Sequence, residues 1–528
     1  MTRNDVDVLI VGSGPIGSTF ARTISDLAPT LRILMVEGGP QITDPPGRHV
    51  KTLSDPAQLD QAQIASQGAN SNKYEMRTPT ANTAAEGGRP PVVARPGTYL
   101  LGGEEVEFTD DGMPAAAMST NVGGMGAHWT CACPTLGDGE RPDVLPRAEF
   151  DALFADAWRL LQVTQSAFES TSFGGAIRAS LAQTLGDILP EGRGVQAMPL
   201  AVSVRDGNRY WTGTDIILDS IAERGHFELR AETLLLRVLH EDGNARGARL
   251  RDRRTGEEYE VSARVVVIAA DSFRTPQLLF ASGVRPPALG RYLNDHPQAI
   301  GLARVRDEMI PPEVRAHRVP GQLDGLSGVN WIPYSRDEFP YHVQVMQLDA
   351  SPVPLDGLDE PVPGSLVGIG IFGCKELQAD DRVAFDEHDL DADGLPVPRI
   401  HYTLTAADRA TLEGMVRTID KLAAGLGGLV AGRPPVILPS GSSLHYMGTT
   451  RMGATDDGTS VCDTNSAVWG TRNLYVGGNG VIPTPTAGNP TAASVALAIR
   501  SARHIVTELA SRGSDTATAE HPALSDCR

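Results

Sequence analysis

Apolar residues fall in short, sharply bounded runs at the two ends of the chain and in looser, alternating runs between them. "DVDVLIV" (5–11) gives way to glycines and a helical pattern, and "LRILMVE" (31–37) repeats the apolar run. Short apolar blocks bounded by turn residues read as buried strands, and their alternation with a helix reads as a parallel α/β unit. Two later stretches carry the same signature. "SARVVVIAADSFRTPQLLFASG" (262–283) predicts a strand, a small-residue turn and a helix from Thr275-Pro276, with proline in its first turn. "RNLYVGGNGVIPTPTAGNPTAASVALAIRSARHIVTELA" (472–510) predicts a strand, a Gly/Pro/Thr loop and a long helix starting near Asn489-Pro490-Thr491.

Between about 297 and 445 the pattern changes. "AIGLARVRD", "GLSGVNWIPYS", "YHVQVMQLD" and "SLVGIGIFGCKE" predict strands of an antiparallel sheet, and "AADRATLEGMVRTIDKLAAGLGG" predicts an amphipathic helix ended by glycines. The fold class is therefore α/β, a nucleotide-binding unit assembled from separated pieces with an antiparallel-sheet domain inserted. The pieces divide as 1–150, 216–296 and 445–511 for the first unit and 297–444 for the second. A helical, substrate-side segment spans 151–215. Residues 60–95 are polar and weakly periodic, and are read as an active-site lid or as a disordered insertion. The tail 512–528 is expected to be disordered.

The chain has 528 residues, more than one hydrophobic core usually serves, and a formal net charge of −19. That charge repels nucleic acid and anionic membranes. No run approaches the ~20 apolar residues of a membrane helix. The five cysteines form no disulfide framework, and the start shows no secretory signal, so a cytoplasmic protein is expected.

The first turn holds Gly12-X-Gly14-X-X-Gly17, followed 20 residues later by Glu37 at the end of the second predicted strand. In that context the glycines suit a tight turn, close approach of a pyrophosphate and helix–strand packing, and the carboxylate suits a ribose hydroxyl. The helix N-terminus adds amide donors. Nucleotide-fold pieces hundreds of residues downstream favour FAD over NAD. "GGMGAHWTCACP" (123–134) raises a zinc reading through His128, Cys131 and Cys133, but no second Cys/His pair at structural spacing follows, so no metal is expected.

Taken in order, Gly12 to Glu37, "MSTNVGGMGAHWTCACP", "ETLLLRVLHEDGNARGARLRD", "TPQLLFASG", "LHYMGTTRMG" and "NSAVWGTRNLYVGGNGVIPTPTAGNPT" resemble the glucose–methanol–choline (GMC) oxidoreductases. Within them the chain is similar to the pyranose oxidases and their bacterial relatives that oxidise sugars and glycosides, including at C3 of C-glycosides. The resemblance implies a Rossmann-like FAD-binding domain touched by Gly124, Leu235, Asn479, Pro490 and Thr491. It implies that His128 meets the flavin, either covalently at the 8α-methyl or in non-covalent contact, and that Thr130 sits beside the flavin N5/O4 edge. His445 and Asn489 match the family's catalytic His/Asn pair, and a neutral imidazole suits proton removal from an alcohol. Gln344 matches a glutamine directed at sugar hydroxyls, and "LDASP" after it matches a substrate loop. His296, His401 and His504 are read as structural, with contact to the cofactor as the alternative for His296. The implied reaction is oxidation of a secondary ring hydroxyl, at C2 or C3, with O2 reduced to H2O2. A dehydrogenase using a quinone is the alternative. A monomer or dimer is expected.

Overall fold

The computed structural model describes residues 5–67, 97–101, 109–168, 172–315, 328–348 and 362–519. Most of the expected lid (60–95) and the "LDASP" loop after Leu348 lie outside the described residues; the lid's first residues belong to the helix Pro56–Gln67.

One sheet is built from widely separated strands in the order Phe227–Arg230, Ile33–Val36, Asp5–Val11, Glu258–Ile268, Asn244–Asp252, Thr233–Glu241. The first four run parallel, each joined through near-continuous apolar positions such as Val8, Leu9, Ile10 and Val11. Both faces of these strands are covered, which is why they read as unbroken apolar runs rather than alternating ones. The long strand Glu258–Ile268 divides its far edge. Its first half pairs with Asn244–Asp252, and Val266, Val267 and Ile268 pair in parallel with Leu474, Tyr475 and Val476. The stretch "ETLLLRVLHEDGNARGARLRD" is a hairpin. Asp242 and Gly243 turn it at φ 48° and 75°, the pair of left-handed residues that a two-residue turn between twisted strands requires.

The second sheet is antiparallel throughout, in the order Val436–Ile437, Gln298–Arg304, Leu366–Phe372, His342–Leu348, Val329–Ile332, Gln196–Ala197. The four strands expected from the sequence form its centre, and two short strands add its edges. One face carries Val343, Val345, Ile332, Ile369 and Ile371 and packs on the helices Ala406–Leu426 and Ser172–Leu185 through Leu412, Met415, Ile419, Phe173 and Ile177. Thr405 and Asp408 close the capping box that starts the first of these helices, and Gly427 and Gly428 end it. The other face, alternating by two, points His342, Gln344, Trp331 and Phe372 away from that core.

Two helix expectations are corrected. The helix expected from Thr275-Pro276 begins at Asp271, so Pro276 is interior to Asp271–Ala281. A proline there leaves the carbonyl four residues earlier without its helical donor. That carbonyl, on Ser272, accepts from the Thr449 hydroxyl at 2.6 Å instead. The C-terminal helix runs from Thr491 to Ala519, past residue 512 where a disordered tail was expected to start. Among the described residues no helix is long and apolar enough to cross a membrane.

Candidate active site

The strand ends of the first sheet open into a cavity of about 1300 Å³, counting the part open to solvent. Gly12, Gly14, Glu37, Gly124, Leu235, Asn479 and Thr491 line it, together with Asp271, Arg253 and Arg274. The three fingerprint glycines have separate reasons. Gly12 sits at φ 101°, and a Cβ there would lie 2.3 Å from the Ala269 carbonyl oxygen. A Cβ on Gly17, which does not line the cavity, would lie 2.0 Å from the Gly12 carbonyl oxygen, so it serves helix–strand contact. A Cβ on Gly14 would meet only the Gly123 oxygen, at 3.9 Å, so this glycine keeps the wall of the cavity open. Gly14 is also the N-cap of the helix Pro15–Leu27 and gives it no side-chain cap, leaving the first amides available to an anion. These features fit the pyrophosphate of a dinucleotide.

Glu37 lines the cavity, and its carboxylate is already anchored. Oε2 accepts from the Ser13 amide and hydroxyl at 3.1 and 2.9 Å, and Oε1 from the Gly39 amide at 3.1 Å. Burial raises its pKa while these donors oppose the rise. The Ser13 hydroxyl in turn accepts from the Gly123 amide at 2.9 Å, which ties the second glycine loop to the first.

The segment after that loop is a short 3₁₀ turn, Gly124–Ala127, with His128 at its end. His128 Nε2 lies 3.2 Å from both the Thr98 and Ser119 hydroxyls and 3.3 Å from Met125 Sδ. Its Nδ1 is buried with no hydrogen-bond partner among the described residues. Burial pulls its pKa down to about 4, so the ring is neutral. His128 is not itself in the cavity wall, but Ser119, Met125, Gly126 and Trp129 around it are. Thr130 is exposed, and Cys131 beyond it turns through φ 58° into the buried core with Cys133. His49 Nε2 meets the Trp129 carbonyl at 2.9 Å and steadies this segment from behind.

Beside the cavity the two sheets meet in a cluster of side chains. Leu444 and Tyr446, on either side of His445, line the cavity, as does Thr491, two residues after Asn489. Asn489 Nδ2 lies 3.1 Å from His445 Nε2, and Gln344 Nε2 donates to Asn489 Oδ1 at 2.8 Å. Three residues singled out from 44 to 145 positions apart thus converge. His445 Nδ1 lies 3.1 Å from His296 Nδ1, and His296 Nε2 lies 3.1 Å from the Thr486 hydroxyl. His296, read as structural, backs His445. It is brought there because Asn294 and Met447 exchange backbone hydrogen bonds. Leu444 holds φ 60°, a conformation a branched residue rarely adopts, and the His445 amide donates to Asp295 Oδ1 at 3.1 Å. Pro490 closes the turn between Asn489 and the long helix, and its carbonyl accepts from the Ser494 amide at 3.0 Å.

Sequence reasoning missed four residues here. His342 and Trp331 sit on the same sheet face as Gln344, and the alternation of "YHVQV" was the available signal. Asp295 is buried and pushed up to about 7 by burial, against the pull of Ser443 and the His445 amide. Glu140 is buried and accepts from the amides of Ala487 and Gly488 at 2.7 and 3.0 Å, fixing the loop that carries Asn489. His401 pairs with Asp111 and His504 lies against Tyr475, both outside the cluster.

Comparison with known proteins agrees with this geometry. Models of the GMC oxidoreductase family match residues 144–298 and 379–498. The chain is 49% identical over 511 residues to a C-glycoside 3-oxidase of Arthrobacter globiformis, covering 96% of each chain. It is 34% identical to a pyranose 2-oxidase of Tricholoma matsutake over 95% of this chain and 94% of that one. The fold matches a formate oxidase structure from Aspergillus oryzae, studied for FAD modification, with TM-score 0.66 and 15% identity over 97% of this chain and 100% of that one. A glycine-lined dinucleotide cradle, a His/Asn pair at its edge and matches along nearly the whole chain place this protein in the GMC oxidoreductase family, as an FAD-dependent enzyme acting on CH–OH groups.

Proposed function

We propose that the enzyme oxidises the C3 hydroxyl of a pyranose carried in a glycoside to the ketone, passing two electrons and two protons to O2 to give H2O2. The observation that carries this reading is the 49% identity along 96% of the chain to a C-glycoside 3-oxidase. His445 is the base for the hydroxyl proton, because its imidazole stands at the cavity edge beside Asn489. Asn489 holds the substrate oxygen, and Gln344 offers an amide to a neighbouring ring hydroxyl. A polyhydroxy ligand is selected by such matched polar groups rather than by shape alone. FAD, when bound, supplies the acceptor for the hydride that leaves the carbinol carbon. The Gly12–Gly17 turn and Trp129 in the cavity wall would hold the cofactor, with His128 beside that wall.

Oxidation at C2 of a free pyranose is the second reading, favoured by the 34% match to a pyranose 2-oxidase. Anaerobic mixing of the yellow holoprotein with a C-glycoside and with D-glucose separates the two. Bleaching mainly by the glycoside, with a C3 ketone in the product by NMR, is expected. Bleaching mainly by glucose, with a C2 ketone, would replace this reading by the second. Peroxide formed in air in proportion to sugar consumed is expected, and dye reduction without peroxide would make the enzyme a dehydrogenase.

A further inference from the structure

We propose that Asp295 is the residue that positions the base: one oxygen of its carboxyl group pins the backbone on both sides of Leu444 and so fixes where His445 stands, and it acts there as a hydrogen-bond acceptor rather than as a charge. The inference rests on His445 being the base.

The starting point is the strained residue beside the base. Leu444 holds φ 60° between Ser443 and His445, and it lines the cavity. A leucine does not keep that conformation unaided, so its surroundings must hold it. Asp295 spans it. Its Oδ1 accepts from the Ser443 hydroxyl on one side and from the His445 amide, at 3.1 Å, on the other. The Ser443 hydroxyl oxygen lies 3.2 Å from the same amide and closes a ring of contacts around Leu444. Held this way, the His445 imidazole meets Asn489 with its Nε2 3.1 Å from Nδ2. Asp295 is itself fixed. It is 1% exposed, and its backbone carbonyl accepts from the Tyr402 hydroxyl at 3.0 Å. Its neighbour Asn294 exchanges backbone hydrogen bonds with Met447, two residues past His445. One short segment thus grips the turn of the base on both sides.

The second oxygen shows how Asp295 acts. Oδ2 is buried with no hydrogen-bond partner among the described residues. Lys375, whose carbonyl accepts from Asn294 Nδ2 at 3.4 Å, directs its ammonium to Asp381 and Asp408 instead. The titratable groups that face Asp295 are His296, His445, Tyr402 and Tyr446. Burial pulls His296 down and pushes both tyrosines up, so these three are neutral. A buried carboxylate with a bare oxygen and no cation is costly, and burial raises Asp295 to about 7. Only the acceptor at Oδ1 is used. An amide supplies that acceptor equally, and its NH2 group would stand where no donor opposes it. Glu140 differs, because both of its oxygens accept from amides.

The test compares Asp295→Asn with Asp295→Ala in FAD-loaded protein, by anaerobic stopped-flow with the sugar or glycoside that bleaches the flavin. Asp295→Asn is expected to reduce its flavin within about threefold of the unsubstituted rate, with the same pH profile. Asp295→Ala is expected to stay yellow and to bind the glycoside within about threefold, but to reduce about a hundredfold more slowly, the scale of a base displaced by about an ångström. Ser443→Ala keeps the His445 amide bond and removes the other half of the pin, so it is expected to lose about tenfold. A carboxyl that merely stabilised the fold would lower the melting temperature without separating rate from affinity. Asp295→Asn as slow as Asp295→Ala, or with an altered pH profile, would mean that the charge acts and would overturn the inference. So would an unchanged rate in Asp295→Ala. If Asp295→Ala does not fold, the other two variants decide: an Asp295→Asn slowed by more than about tenfold, or a Ser443→Ala at the unsubstituted rate, overturns it. Normal flavin reduction by His445→Ala would instead remove the base itself. An inactive His445→Ala beside a fully active Asp295→Ala would leave the base and remove only its positioning.

Discussion

The dinucleotide cradle and the histidine cluster share a wall but are built in opposite ways. The cradle is made largely of backbone: glycines that bring Gly12, Gly17 and Gly124 within contact distance of other main-chain atoms, and a helix N-terminus left without a side-chain cap. The cluster is made of side chains from four separate segments, around 295, 331–344, 445 and 486–489, buried except for the half-buried His445 and linked to one another by hydrogen bonds. Backbone recognition tolerates almost no added volume, whereas a side-chain network tolerates volume and fails on polarity. The two regions should therefore break differently.

The largest separation comes from His445→Ala. It is expected to leave the protein yellow and to slow flavin reduction by sugar about a thousandfold or more, the scale of losing a positioned base together with its oriented partners. Stopped-flow bleaching without oxygen measures it. Gly17→Ala should do the reverse, because its Cβ would fall 2.0 Å from the Gly12 carbonyl oxygen. We expect purified protein largely free of FAD and destabilised by about 3 kcal/mol or more, with any chains that retain FAD still reduced normally. A yellow, stable Gly17→Ala would mean that the first turn does not set cofactor binding.

Glu140→Gln probes the link between the regions. The carboxylate accepts from the amides of Gly137, Ala487 and Gly488, and an amide in its place turns an N–H toward one of these donors. A mismatch of this kind costs about 1–3 kcal/mol. We expect flavin content unchanged and flavin reduction slowed by about tenfold as Asn489 shifts. Unchanged reduction would show that the loop holds its shape without that anchor.

The smallest effect is one of pH. His49 is neutral in the fold, pulled down to about 3 by burial, and would take a proton near 6.5 when unfolded. A base with its folded pKa lowered adds stability above the unfolded value and loses it as pH falls through the window from about 6.5 to 3. At about pH 5 the loss from this one ring is about 2 kcal/mol relative to pH 7. Asp295 has the opposite sign: raised to about 7, it favours the fold at low pH and loses that contribution as pH rises from about 4 to 7. The melting temperature of His49→Gln should therefore fall less between pH 7 and pH 5 than that of the unsubstituted protein. Equal falls would show that His49 titrates in the fold.

The same contrast explains what could be read from the residues alone. The cradle was legible because its glycines, strand and carboxylate lie within some 30 consecutive positions, Gly12 to Glu37, and each has a steric reason. The antiparallel sheet was legible from alternation. The hairpin turn at Asp242-Gly243 was present in the sequence and passed over. In the cluster, His445, Asn489 and Gln344 were found only by their resemblance to a family. Alternation in "YHVQV" puts His342 on the face of Gln344, but nothing local marks Trp331, Asp295 or Glu140, whose partners are set by pairings such as Trp331 with Gln344 across strands. Helix boundaries failed where tertiary partners intervene, as when Thr449 supplies the donor that Pro276 lacks.

The sheet that begins with Asp5–Val11 is completed by Leu474–Val476, and the cavity wall by Thr491 of the helix after it. During synthesis the glycine turn leaves the ribosome early, while the last strand and the last cavity-lining residue emerge more than 450 positions later. A nascent chain thus has its phosphate-binding turn long before it has a pocket. Flavin loading is a late event in biogenesis, and the yellow colour of a preparation reports translation carried through to the final helix.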